Sequence, residues 1–192
     1  AERQRAANVD IITAQGTEAG GHTGNISTMV LVPQIVDAVD PMPVLAAGGI
    51  GTGRQVAAAL ALGAQGVWVG TAFLASEETN IPDDHQEQII GGRSENFTLS
   101  KFLSGKQQRS YQNLVKDAWA DSGLLPLEMP LQGIVQEPFT RAARMAGRYD
   151  LVGNPSGQIS GMLNERRPAR DILMDMVTEA GATVDKMRAQ VS

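Results

Sequence analysis

The chain contains no cysteine. Disulfides, thiolate nucleophiles and Cys-ligated zinc are thereby excluded. Its two histidines, His22 and His85, are too few for a three-histidine metal site. Aromatic residues make up only 4% of the chain. Basic residues are outnumbered 16 to 21, for a net charge of -5. That balance argues against a general nucleic-acid binder, because nothing would neutralise the phosphate backbone. The one basic cluster, Arg166, Arg167 and Arg170, sits among acidic residues and reads as a solvated helix start. No apolar run approaches the roughly 20 residues that span a bilayer, and no signal-peptide pattern is visible. The expectation is a soluble cytoplasmic protein with neither membrane nor nucleic-acid partner.

What is present is glycine, 21 residues, with abundant alanine in a chain that is 42% hydrophobic. This mixture suits tight βα turns and close helix–sheet packing better than a β-sandwich. The 192 residues suffice for one core, or for one domain and a smaller companion. Residues Ala1–Asn8 read as the end of a helix and Val9–Ala14 as a short apolar strand. A glycine-rich loop runs from Gln15 to Gly24. Met29–Val39 has apolar residues at helical spacing, with Pro33 placed in its first turn. Val44–Ala47 is a second strand, Arg54–Leu62 an Ala-rich helix stopped by Gly63, and Gly66–Gly70 a third strand. The strands are apolar along their length, as strands covered on both faces should be. The order β–α–β–α–β predicts a parallel sheet with helical crossovers, either an open doubly wound sheet or a closed barrel.

Beyond Phe73-Leu74 the chain becomes more polar. Gln107–Ser122 reads as one amphipathic helix, with Tyr111, Leu114, Val115 and Trp119 on related faces. Leu124–Pro130 reads as a linker and Arg141–Tyr149 as a short helix. Pro168–Gly181 is an amphipathic helix with Ile172, Leu173, Met176 and Val177 inward, Pro168 at its start and Gly181 at its end.

Two successive strand ends carry glycine turns, Gly48-Gly49 and Gly70-Thr71. Glycine lets backbone N–H groups approach an anion, and a following helix adds its positive dipole end. The last two βα loops of a barrel commonly make a phosphate site, to which Thr71 can add a hydroxyl. Gln15 falls at the C-terminal end of the first strand, where barrel active sites lie. Its amide both donates and accepts, which suits the edge of a flavin or a carbonyl. Gly20 and Gly21 let a planar ring lie against the backbone. His22 is the one neutral-pH general base of this loop, and Glu18 reads as orienting the loop. His85 sits among exposed polar residues and reads as surface. Trp68 reads as barrel packing. No GxGxxG turn with a downstream acidic residue supports a Rossmann site.

The segments AQGTEAGGHTG, LVPQIVDAV, PVLAAGGIGTGRQVAAALALGAQGVWVGTAFLASEE and the tail NERRPARDIL-MDMVTEAG resemble the nitronate monooxygenases, formerly 2-nitropropane dioxygenases. The resemblance is dense over residues 9–78 and weaker through SGKQQRSYQN to residue 181. It implies an α/β chain, the C-terminal part of a TIM (β/α)8 barrel with a small, mostly helical second domain. It divides the chain into barrel elements over 1–78, a cap over 79–150 and a returning segment over 151–192. It implies that the earlier barrel strands lie outside this sequence, so that Val9–Ala14 and Gly66–Gly70 lack outer partners. It assigns His22 as catalytic base and Gln15, Gly20, Gly48, Gly49, Gly70 and Thr71 to FMN. It implies flavin-dependent oxidation of alkyl nitronates or nitroalkanes with O2 to carbonyl compounds and nitrite, and it leaves a homodimer open. The same motifs also resemble the FMN-dependent enoyl-ACP reductases, whose pattern has Glu where this chain has Gln15. A non-catalytic FMN-binding protein or fragment is the remaining alternative.

Overall fold

The computed structural model describes residues 9–191, and the helix end expected over residues 1–8 lies outside them. Strand β1 (Ile12–Gln15) leads through the two-residue strand β2 (Gly21–His22) into helix α1 (Thr28–Val39). Strand β3 (Val44–Ala47), helix α2 (Gly53–Ala61), strand β4 (Gly66–Trp68) and the one-turn helix α3 (Thr71–Leu74) follow. The strands form a parallel sheet in the order β1-β3-β4. Ala46 stands opposite Ala14 on one side and Val67 on the other. This is the expected βαβαβ unit, with β1 starting three residues later and β4 ending two residues earlier than the apolar runs suggest.

One face of the sheet makes the core. Ile12, Ala14, Val44 and Ala46 are buried against Val32 and Val39 of α1 and Ala59 of α2. Each large aliphatic so buried contributes about 1.5–3 kcal/mol. Helix α2 starts on a capping box made by Thr52 and Gln55, and Gly63, at φ +93°, lets the chain turn back at once toward β4. Pro33 lies in the second turn of α1 rather than its first. Its missing N–H deprives the Met29 carbonyl of its helical donor, at an exposed position.

The opposite face is not covered on both sides as the apolar strands suggest. Ala47 is buried there, but Thr13 and Gln15 are exposed, and Trp68 is 64% exposed rather than packed. Among the described residues β3 is the sole partner of both β1 and β4.

The next stretch holds helix α4 (Asp83–Gly91), strands β5 (Phe97–Ser100) and β6 (Gln108–Tyr111), and helices α5 (Leu114–Ser122) and α6 (Leu131–Met145). The single helix expected over Gln107–Ser122 is instead a strand and a helix. Asn113 separates them by capping α5, its side chain accepting from the Lys116 amide at 3.0 Å. Strand β6 pairs antiparallel with β5 on one side and with β2 on the other, so this region is not purely helical. Helix α6 begins ten residues before the expected Arg141 and contains Pro138.

Helix α7 (Ala169–Val191) starts at the expected place but runs through Gly181. Ile172 and Met176 face inward as expected, whereas Leu173 and Val177 are exposed and Ala180 takes the third buried position. The helix packs closely on α2. A Cβ at Gly53 would stand 2.4 Å from the Ala180 nitrogen, and Glu179 accepts from the Gly53 amide at 2.6 Å. No described helix is long and apolar enough to cross a membrane.

Candidate active site

The six residues assigned to cofactor binding meet. Gln15, Gly20, Gly48, Gly49, Gly70 and Thr71 line one cavity of about 200 Å3 at the C-terminal ends of the parallel strands. Parallel strands deliver their following loops to the same edge, which is why residues 55 positions apart in sequence converge here. A wider, mostly apolar groove of about 420 Å3 adjoins it and shares Gly48, Gly49, Ile50 and Ile159. That groove contains neither Gln15 nor Thr71, so the smaller cavity is the candidate site.

Gly48 and Gly49 adopt φ +93° and +71°, a region that disfavours side chains. A Cβ on Gly48 would also meet the Gly16 carbonyl at 2.9 Å, while one on Gly70 would meet nothing. Among the described residues the amides of Gly49, Gly70 and Thr71 donate to no protein acceptor. The Thr71 hydroxyl accepts from the Gly157 amide at 2.9 Å and so keeps its own proton to give. The start of α2 is less available than the glycine turn suggests. Gln55 accepts from the Gly51 and Thr52 amides and Glu179 from Gly53. An anion here would rely on the two turns themselves.

Gln15 is the last residue of β1, and its Nε2 donates to the His22 carbonyl at 2.7 Å, leaving Oε1 for the cavity. His22 itself does not line the cavity. It belongs to β2, paired with Gln108 of β6, and its ring Nε2 lies 2.7 Å from Ser104 Oγ. The imidazole is exposed, and the residue is joined to the cavity through its backbone carbonyl, which accepts from Gln15. Glu18 orients the loop as expected. Its carboxylate accepts from the Thr28 amide at 3.0 and 3.1 Å and from the Thr28 hydroxyl at 2.9 Å. It supplies the cap that Ser27 does not and places an anion at the positive end of α1.

The second sheet fixes the loop from the other side. Buried Arg109 of β6 donates through Nε and Nη2 to the Thr17 carbonyl at 3.1 and 2.8 Å, and through Nη1 to Phe97. Lys116 is also buried. Its ammonium donates to the carbonyls of Thr98 and Ser110, and desolvation with Arg109 nearby lowers its pKa to about 8.

One contributor went unread in the sequence. Pro155, Gly157 and Ile159 close the cavity, and the Gln158 amide donates to the Glu18 carbonyl at 3.0 Å. The segment offers backbone rather than reactive side chains, and Pro-Ser-Gly is its one signal, a turn. His85 is not a surface residue. It is 8% exposed, its Nε2 meets the Tyr149 carbonyl at 3.0 Å, and burial pushes its pKa down. No group of His, Asp or Glu that could hold a metal occurs among the described residues.

This arrangement has close counterparts. The structure superposes on that of FabK from Thermotoga maritima with a TM-score of 0.86 at 31% identity, over 98% of this chain and 60% of that one. It superposes on nitroalkane oxidase from Streptomyces ansochromogenes with a TM-score of 0.85 at 31% identity, over 100% of this chain and 57% of that one. The chain therefore has an α/β fold similar to that of FabK and of nitroalkane oxidase over rather more than half of each. The family model for nitronate monooxygenase matches residues 1–179, and the chain belongs to that family. It is 46% identical over 198 aligned positions to Rv1533 of Mycobacterium tuberculosis, whose name places it provisionally among the monooxygenases, covering 100% of this chain and 53% of that protein. It is 37% identical to a Staphylococcus aureus protein named a probable nitronate monooxygenase, covering 90% of this chain and 51% of that protein. The chain thus spans about half the length of the curated relatives it matches.

Proposed function

We propose that this chain forms the flavin-phosphate and base-bearing part of an FMN-dependent nitronate monooxygenase that oxidises alkyl nitronates or nitroalkanes with O2 to carbonyl compounds and nitrite. The observation that carries the reading is the convergence of Gln15, Gly20, Gly48, Gly49, Gly70 and Thr71 on one cavity, with the backbone carbonyl of His22 accepting from Gln15 at its edge. The residues fit the cofactor. The free amides of Gly49, Gly70 and Thr71 and the Thr71 hydroxyl suit a phosphate, and Gln15 Oε1 suits the edge of a planar ring, with Gly20 in the cavity wall beside it. Bound FMN would supply the acceptor for substrate electrons and their transfer to O2. His22 takes the α-proton of a neutral nitroalkane, and a preformed nitronate needs no such step. Residues 79–150 form the second domain of this reading, bringing β6 against the His22 strand, and 151–192 return to the barrel.

The likeness to FabK supports an FMN-dependent enoyl reductase using NAD(P)H as the second reading. Gln15, where the reductase pattern has Glu, favours the first. In the complete flavin-loaded enzyme, anaerobic mixing with ethylnitronate should bleach the flavin rapidly, whereas NADH should not. Rapid bleaching by NADH alone would select the reductase, and stoichiometric flavin with neither reaction would select a non-catalytic binder. His22→Asn should slow neutral nitroalkanes by roughly 10²-fold or more, the usual scale for a positioned base, with a far smaller loss on nitronates.

A further inference from the structure

The ring of His22 is held from the second sheet. Its Nε2 lies 2.7 Å from Ser104 Oγ, in the connection between β5 and β6. That hydroxyl lies in turn 3.2 Å from the Lys106 carbonyl. The register repeats the theme, since Gln108 stands opposite His22 on β2 and opposite Ser100 on β5. Residues directly opposite on neighbouring strands share a face. Ser100, Gln108 and His22 therefore form a polar row, and Gln108 Nε2 reaches Ser104 Oγ at 3.5 Å. Nothing in the flavin cradle explains why this row is polar. Nδ1 of His22 has no partner among the described residues.

A neutral imidazole carries one donor and one acceptor nitrogen, and the bond made by one decides the state of the other. A serine hydroxyl has one proton to give. The chain His22 Nε2–H to Ser104 Oγ–H to the Lys106 carbonyl runs in one direction through the shortest contacts, while the Lys106 amide and Gln108 Nε2 reach the same oxygen at only 3.4 and 3.5 Å. It places the ring proton on Nε2 and leaves the lone pair on Nδ1.

Building on the base reading of His22, we propose that Ser104 is the positioning residue of that base. It fixes the imidazole in the Nε2–H tautomer, so that Nδ1 receives the substrate proton. In that step the α C–H bond breaks, its electron pair stays on the nitronate and its proton goes to Nδ1. The imidazolium then donates from Nε2 to Ser104 Oγ, a charge-assisted bond stronger than the neutral one. Ser104 thus favours the protonated product without touching substrate.

The tautomer is measurable without turnover. Long-range 1H–15N spectra of 15N-labelled complete enzyme report it, with the His22 signal assigned by its loss in His22→Asn and His85 as internal reference. His22 should show a protonated Nε2 in its neutral form, Ser104→Ala should convert it to a tautomer mixture, and Ser104→Thr should restore it. Kinetically, Ser104→Ala should lower kcat/KM for neutral nitroethane roughly tenfold, the factor one hydrogen bond of ordinary net strength represents, with a much smaller loss on ethylnitronate. A protonated Nδ1 in the wild type overturns the proposal, whatever the variants do. So does a Ser104→Ala enzyme whose spectrum and substrate ratio are unchanged while His22→Asn remains selective. Equal losses on both substrates in His22→Asn would instead show that the base reading has failed.

Discussion

Gly20 and Ser156 approach so closely that a Cβ on the glycine would stand 2.5 Å from the Ser156 carbonyl carbon. The loop after β1 and the segment before α7 therefore meet backbone to backbone at the wall of the cavity. Neighbouring Gly21 is the reverse case, with φ +73° and open space where its Cβ would be. Gly20→Ala must push two backbones apart, whereas Gly21→Ala pays only conformational strain of about 1–3 kcal/mol. We expect Gly20→Ala to lower both thermal stability and FMN affinity, and Gly21→Ala to lower stability with flavin affinity largely kept. Thermal unfolding and flavin-fluorescence titration of the two variants check this. Similar flavin losses in both would remove the steric argument.

Thr71 should distinguish FMN from riboflavin. Its hydroxyl accepts from Gly157 and has a proton left for an anion beside the free amides of Gly70 and Thr71. Thr71→Val should weaken FMN about tenfold, as loss of one hydrogen bond to a charged group does, while riboflavin binding changes little. Thr71→Ser should bind both normally. If Thr71→Val weakens both ligands equally, the phosphate lies elsewhere.

The carboxylate of Glu18 ties the loop to α1 through Thr28. Glu18→Ala leaves the first amide of the helix without its acceptor and should cost about 1–3 kcal/mol of unfolding free energy. Thr28→Ala keeps the amide and removes the hydroxyl that also reaches Glu18, so the losses of the two variants should be less than additive. Urea unfolding of the two singles and the double provides the cycle, and fully additive losses would refute the coupling.

Lys116 predicts an alkaline rise in stability. Its folded pKa, about 8, lies below its usual value of 10.5 because burial disfavours the charge. Between those values the unfolded chain binds more protons than the folded one, so the contribution of this group to stability grows as pH rises from about 8 to 10.5. Lys116→Met should remove that contribution. The urea midpoint of the wild type should gain on the variant across this window, and parallel pH profiles would refute the assignment.

The parallel unit was legible because its signals are local. Apolar runs of four residues, a glycine at each strand end and an Ala-rich helix between them specify β3, α2 and β4 almost residue by residue. The cavity followed from the same logic, since neighbouring parallel strands bring their loops together whatever lies between. Strand β6 was not legible. Gln108, Arg109 and Ser110 are buried yet polar, with no apolar alternation to mark a strand. The burial of Arg109 is compensated by the Thr17 carbonyl, 92 positions away, which no local window contains. Tyr111, Leu114 and Trp119 then completed a false helical spacing across Asn113, the residue that in fact starts α5. His85 misled similarly, because its acidic neighbours are exposed while the ring turns inward to Tyr149. Gly181 looked like a helix end, but the ten residues after it continue α7 at no steric cost.

The dependence of β2 on β6 also sets an order of assembly. A chain still on the ribosome, complete only through α3, already contains both glycine turns and the histidine. It lacks the strand that anchors that histidine and the Pro155–Ile159 segment that walls the cavity. Contacts between distant stretches form last, once their loop-closure entropy has been met. On the proposed flavin reading, flavin retention would report on whether the later half has folded back onto the earlier one.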